Sequence, residues 1–165
     1  MTGSRVAERK RNPFIRSAGG GRVLSALMLP WFLTRPPSGF GVLTTTGRRT
    51  GKARRKCIRA IRTGDRVYIV SIGGPGAAWV KNIRANPAVR LRMRGGTFAG
   101  VVRELQPGTS AAQEGMRVYC ETINRFDYDE CRVHRPGKPT PEKITEMHRS
   151  WFATGTPFVI DLTNP

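Results

Sequence analysis

The run Phe40-Gly41-Val42-Leu43-Thr44-Thr45-Thr46-Gly47-Arg48-Arg49-Thr50-Gly51-Lys52-Ala53-Arg54-Arg55-Lys56 holds the chain's densest set of anion-binding groups. An apolar, β-branched segment enters a glycine-bounded turn carrying three cations, and a second cationic segment leaves it, the pattern of a β-hairpin with a basic tip. Glycines at 47 and 51 permit positive φ and leave backbone N–H groups uncovered by Cβ atoms, while the hydroxyls of Thr44, Thr45, Thr46 and Thr50 add short-range donors. The chemistry on offer is capture of an oxyanion, a phosphate or a carboxylate. A solvated basic turn has the same composition, so the neighbouring segments must decide.

Composition sets the frame for that tip. A chain of 165 residues with no internal repeat fits one domain, expected over residues 21–165 behind a flexible basic arm at residues 1–20 that contains Arg5, Arg9, Lys10, Arg11, Arg16 and the Gly19-Gly20-Gly21 run. The net charge is +18, and its distribution is uneven: Arg9 to Arg103 holds 21 Lys/Arg against one acid, Asp65, whereas residues 104–165 hold 7 Lys/Arg against 9 Asp/Glu. Such a field steers a polyanion toward the first two thirds of the fold, be it nucleic acid, an anionic membrane surface or a multiply charged cofactor. Three cysteines, Cys57, Cys120 and Cys131, lack a CxxC pair, and His134 and His148 lack paired ligand spacing, so neither a disulfide framework nor a metal site is expected. The longest apolar stretch, Val23 to Leu33, is broken by Pro30 and falls short of the ~20 residues a membrane span needs. No cleavage pattern follows it, and a cytoplasmic location is expected.

Several elements must position the tip. Arg22 to Thr34 places Val23, Leu24, Leu27, Met28, Trp31 and Phe32 at helical spacing, a helix that either lids the core or, beside a basic arm, touches a membrane peripherally through residues 22–34. Strands are predicted at Phe40–Thr46, Arg54–Arg62, Arg66–Ile72, Ala88–Arg94 and Thr97–Leu105, with a turn at Thr63-Gly64-Asp65 and a backbone-exposing loop at Gly73-Gly74-Pro75-Gly76. In the fourth of these, Val89, Leu91 and Met93 alternate with Arg90, Arg92 and Arg94, which gives a half-buried strand with a cationic outer face. A short helix covers Ala77 to Ala85 and stops at Asn86-Pro87. Further helices are predicted from a capping box at Ser110-Ala111-Ala112-Gln113 to about Asn124, and from the cap Thr140-Pro141-Glu142 through Lys143 to Phe152, before a last strand at Pro157–Leu162. Tight turns with one inserted helix indicate an α+β domain built on a small antiparallel barrel.

With these elements in place the chain resembles the deazaflavin (F420)-dependent nitroreductase family of actinobacteria, split β-barrel proteins related to FMN-binding flavin reductases. The matching residues are Leu43-Thr44-Thr45-Thr46-Gly47-Arg48-Arg49-Thr50-Gly51, Arg54, Gly64-Asp65-Arg66-Val67, Ser71-x-Gly73-Gly74, Trp79, Asn82 and Ala85-Asn86-Pro87-x-Val89. The resemblance implies binding of coenzyme F420, whose deazaflavin ring is joined through ribitol and a phosphodiester to an oligoglutamate tail. It implies a cofactor site of Thr46, Arg48, Arg49, Thr50, Arg54, Cys57, Ser71, Ile72, Gly73, Trp79 and Asn82, with the arginines on phosphate and tail and the residues from Ser71 to Trp79 beside the ring. Charge-assisted bonds from Arg to such oxyanions are the strong kind. Cys57 stands where many members have a proline, and Ala77-Ala78 precedes Trp79 where a His/Asn-Pro is common. Substrate-pocket aromatics fall between Arg117 and Lys138, which makes Tyr128 a candidate proton donor; Ser71 is a second catalytic candidate.

The function these residues imply is an F420-dependent oxidoreductase passing a hydride from reduced deazaflavin to a small lipophilic acceptor: a quinone, an enone or a nitroaromatic. Two alternatives stay open on the sequence: a nucleic-acid-binding module using the basic hairpin and the Arg90-Arg92-Arg94 face, and a non-catalytic protein of the same fold that carries a cofactor or lipophile. No recognised nucleic-acid reading motif is present, so no specific nucleic-acid partner is expected. The absence of GxSxG and Walker A patterns argues against hydrolysis and phosphoryl transfer.

Overall fold

The computed structural model describes residues 18–163, with side chains from Ala26 onward in the first helix. Residues 1–17 of the expected basic arm lie outside the described residues. Helix α1 spans Ala18–Thr34, longer at its start than the apolar periodicity predicts, and includes Pro30. There follow β1 (Phe40–Thr46), β2 (Ala53–Arg59), β3 (Ile61–Thr63), β4 (Arg66–Ser71), a 3-10 turn at Gly74–Gly76, α2 (Ala78–Ala85), β5 (Ala88–Met93) and β6 (Gly96–Glu104). Helices α3 (Ser110–Glu121), α4 (Arg125–His134) and α5 (Pro141–Thr154) precede β7 (Thr156–Leu162).

All seven strands join one antiparallel sheet in the order β2-β1-β5-β6-β7-β4-β3. The predicted second strand, Arg54 to Arg62, is therefore two strands: β2 pairs with β1, and β3 pairs with β4 at the opposite edge. Only Ala60 separates them, fully buried, its N–H donating to Gly39 O at 2.8 Å. Because one short segment supplies both edges, the sheet must curl until they meet, which makes it the split barrel that was expected.

Alternation along the strands builds two cores. In β4, Val67 and Ile69 face the barrel interior with Leu43, Leu91, Val80 and Ile83, whereas Tyr68 and Val70 face an outer helical layer containing Tyr119, Ile144, Met147 and Trp151. α2 thus plugs the barrel, and α3 and α5 cover its far side. A third cluster forms where Phe32 of α1 lies on Phe40 and Val42, with Phe126 of α4 closing over it. Burying Phe32 to 1% exposure contributes about 1.5–3 kcal/mol, and this is what holds α1 on the sheet as a lid.

The helical layer differs from its sequence reading in two places. Thr109 caps α3, its hydroxyl accepting from Ala112 N, one residue before the expected cap at Ser110. The helix predicted to run to about Asn124 ends at Glu121, because Asn124 is itself the N-cap of the separate helix α4, in a box with Asp127. Asp127 has a second duty. Its carboxylate, fully buried, accepts from Arg59 Nε at 2.9 Å, while Arg59 also donates to Tyr119 O at 2.7 Å and Thr122 O at 2.5 Å and stacks 4.4 Å over the Tyr119 ring. Burial alone would raise the Asp127 carboxyl; the Arg59 guanidinium and the Asn124 N–H that it accepts from outweigh burial and hold the group below the usual carboxylate range. One buried arginine of β2 therefore clamps the α3–α4 junction to the barrel.

Candidate functional site

The hairpin tip is built by its own backbone. Thr46 pairs with Ala53 as the last ladder rung, after which Gly47 N donates to Lys52 O at 2.8 Å and Gly51 N to Gly47 O at 2.7 Å. Gly51 sits at φ 65°, the left-handed conformation that lets the turn close, and a Cβ there would meet open space. Thr50 Oγ1 accepts from Lys52 N, so this hydroxyl shapes the turn.

What fixes the tip in space is Asn82 on α2. Its Oδ1 accepts from Arg48 N at 3.2 Å and from the Arg48 guanidinium at 3.4 Å, and its Nδ2 donates to Thr45 Oγ1 at 3.2 Å. Thr45 is buried on the Leu43 side of β1, and its hydroxyl reaches toward Arg54 O. Asn82 is 5% exposed and spends both ends of its amide on this latch, so the geometry gives it a positioning role. Replacing it with Ala leaves the Arg48 amide unpaired and Thr45 with only its long contact to Arg54 O. The expected result is a loss of a few degrees in melting temperature, read by thermal unfolding.

Arg48, Arg49, Lys52 and Arg54 are exposed at this tip, and none joins an ion pair among the described residues. A set of cations held in place without carboxylates is a donor set for an external oxyanion. One helical turn back along α2 stands Trp79, half-buried, its ring 5.7 Å from Phe158. Immediately before α2 runs the loop from Ile72 to Gly76, with Ile72 50% exposed and open space where a Cβ at Gly73 would point. The order tip, Asn82, Trp79, loop thus sets a cationic end and an apolar end on one side of α2.

Other residues singled out in the sequence fall elsewhere. Ser71 is 2% exposed and donates its hydroxyl to Gly74 O at 2.9 Å, so it shapes the loop from within. Cys57 lies opposite Val42 on the outer face of the sheet, packed against the cluster beneath α1. Thr46 is half-buried on that same outer side. Tyr128 packs against the outer helical layer and lines a shallow depression with Arg132, Gly137, Lys138 and Pro139; the β4 side chains that share its core point away from those that share the core with α2. Thr45 was missing from the expected set, although strand alternation alone places it on the interior face beside Leu43.

Comparison with known families decides the assignment. A sequence-family model described as F420H(2)-dependent quinone reductase matches residues 33–133, more than half of the chain. The chain belongs to this family. It is an oxidoreductase of the F420H(2)-dependent quinone reductase family, and its cofactor is coenzyme F420. None of the curated proteins matches the sequence. Among solved structures, HutZ, described as a heme storage protein from Vibrio cholerae, superposes with a TM-score of 0.53 at 10% identity, over 84% of this chain and 90% of its own, which shows the shared fold. An F420-H2 dependent reductase (FDR-A) aligns at 18% identity over 74% of this chain and 94% of its own, with a TM-score of 0.49. A FAD-binding protein from Mesorhizobium loti aligns at 17% identity over 85% and 91%, with a TM-score of 0.48. The tip's donor chemistry suits a group with a phosphodiester and carboxylates: exposed arginines outside any ion pair among the described residues, on the same side of α2 as a half-buried aromatic and an open loop. Among the described residues no group of three or more His, Cys, Asp or Glu is placed to hold a metal ion, and no helix is long and apolar enough to cross a membrane.

Proposed function

We propose that Arg48, Arg49 and Arg54 hold the phosphodiester and glutamate carboxylates of F420, and that Trp79 and the Ile72–Gly76 loop bound its ring. The observation that carries this reading is the Asn82 latch, which fixes a carboxylate-free cationic tip one helical turn from Trp79. When bound in its reduced form, F420 supplies the hydride. The protein's residues supply position. The tip arginines neutralise the tail so that the ring end is the only part left to orient, and the buried Asn82 keeps the tip from reorganising when the anion arrives. Trp79 and Ile72 exclude water from one side of the ring and leave the other to the acceptor. Reduction of a quinone to its hydroquinone also needs a proton, which is drawn from water, since Tyr128 belongs to the outer helical layer.

The favoured acceptor is a quinone; enones and nitroaromatics, electron-poor like quinones, are secondary acceptors at the same opening. Reduced F420 mixed with menadione, cyclohexenone and a nitroaromatic, with absorbance of the oxidised cofactor followed in time, tests this. Oxidation with menadione at the highest kcat/KM is expected. Saturable F420 binding without turnover on any of the three would instead favour a carrier of the same fold.

A further inference from the structure

We propose that Glu130 is a pH-sensitive latch: α4 stays docked on the barrel while the Glu130 carboxyl carries a proton, and is released when that proton leaves. Asp127 and Glu130 are three residues apart on α4 and so share one face of the helix. That face meets the buried Arg59 of β2, whose guanidinium is already engaged at every nitrogen. Nε and one terminal nitrogen donate to Asp127, and the two terminal nitrogens donate to Tyr119 O and Thr122 O. Asp127 is closed as well, taking Arg59 on one oxygen and the Asn124 N–H on the other at 2.7 Å. Glu130 is left over. Its Oε2 is buried and has no hydrogen-bond partner among the described residues.

Arg59 and Asp127 balance each other, so an ionised Glu130 is a further buried carboxylate with no cation of its own. Burial, and after it the Asp127 carboxylate, push the Glu130 carboxyl up to about 8; Arg59 opposes them and loses. The other titratable groups packed around this cluster stay neutral near that pH. From α3, burial raises Tyr119 and pushes the Cys120 thiol up to about 11; from α5, burial keeps His148 below the usual histidine value; on α4 itself, burial raises the Cys131 thiol. Once α4 is released, the carboxyl returns to the usual glutamate value. Between that value and about 8 the docked form holds a proton that the released form has lost, so rising pH favours release, and the dependence levels off above 8. The latch reaches the lid through Phe126, which sits on the same helix with its ring 4.8 Å from Phe40 and 5.8 Å from Phe32 of α1. Release of α4 therefore removes the ring that closes over the α1 contact.

The test is limited trypsin digestion of the full chain at pH 7, 8 and 9, following cleavage at Arg125 and Arg132 within α4, with each rate divided by that of Glu130→Gln at the same pH so that the pH dependence of the protease cancels. Cleavage of a transiently opened helix tracks its open population. The ratio is expected to rise about fivefold from pH 7 to 8 and about twofold from pH 8 to 9, the proton linkage of a carboxyl moved up to about 8. Glu130→Leu, also without an ionisable group, should show the same pH dependence as Glu130→Gln, and Glu146→Gln, at an exposed site on α5, should behave as wild type. A ratio that stays constant with pH, or Glu130→Gln cut faster than wild type at pH 8, overturns the proposal, as does loss of the pH dependence in Glu146→Gln. Neither F420 nor turnover enters the measurement, so its outcome is independent of the reading of the cofactor site.

Discussion

Changing Arg48 and Arg49 together to Ala is expected to weaken F420 binding by about a hundredfold and leave thermal unfolding nearly unchanged. The two effects separate because both side chains are exposed and neither is part of an ion pair among the described residues. Hydrogen bonds to charged groups contribute ~1.5–3 kcal/mol where water is excluded, and exposed pairs give less. Taking about 1.4 kcal/mol for each arginine, a tenfold change apiece, gives the hundredfold figure. Lys in place of Arg at both positions should recover only part of it, since an ammonium cannot make the two parallel bonds of a guanidinium to a phosphate. Affinity unchanged in the double Ala variant would place the cofactor elsewhere on the protein.

The largest effect on stability is expected at Asp127. Its replacement by Ala strands the buried Arg59 guanidinium beneath the α3–α4 junction, and removing one partner of a buried pair costs about 3–5 kcal/mol. For a domain of this size that is a drop of roughly 10 °C in melting temperature. The control is the double variant Arg59→Met, Asp127→Leu, which removes both charges and should be more stable than Asp127→Ala alone. Equal melting temperatures for wild type and Asp127→Ala would mean that the pair does not clamp the helices. His148 lies beside the pair, its Nε2 3.6 Å from Asp127 Oδ1, and burial holds its pKa below the usual histidine value.

Local signals in the sequence were enough wherever the structure depends on local geometry. β1 matches the predicted span, and β4 and β5 end one residue short of theirs, because period-two alternation and glycine turns bound them. The cap at Thr140 and its N1 proline also stand where the pattern put them. The split of the second strand at Ala60 was invisible, since β2 and β3 both read as strand and only their partners differ. α4 was missed for a related reason: one of the residues it buries is the charged Asp127, whose partner Arg59 lies 68 positions away. The same holds at the site. Arg48 and Asn82 were both singled out, but as two separate contacts to a ligand; that they bond to each other across 34 positions is a fact of the fold.

Binding of F420 itself tests the account most directly. Purified protein titrated with oxidised F420, with tryptophan fluorescence followed and FMN titrated in parallel, should show saturable quenching by F420 and none by FMN, because the half-buried Trp79 borders the proposed ring position while the tip arginines require the anionic tail. Quenching by FMN with equal affinity, or no saturable response to F420, would contradict the assignment of the latched hairpin tip as the cofactor cradle.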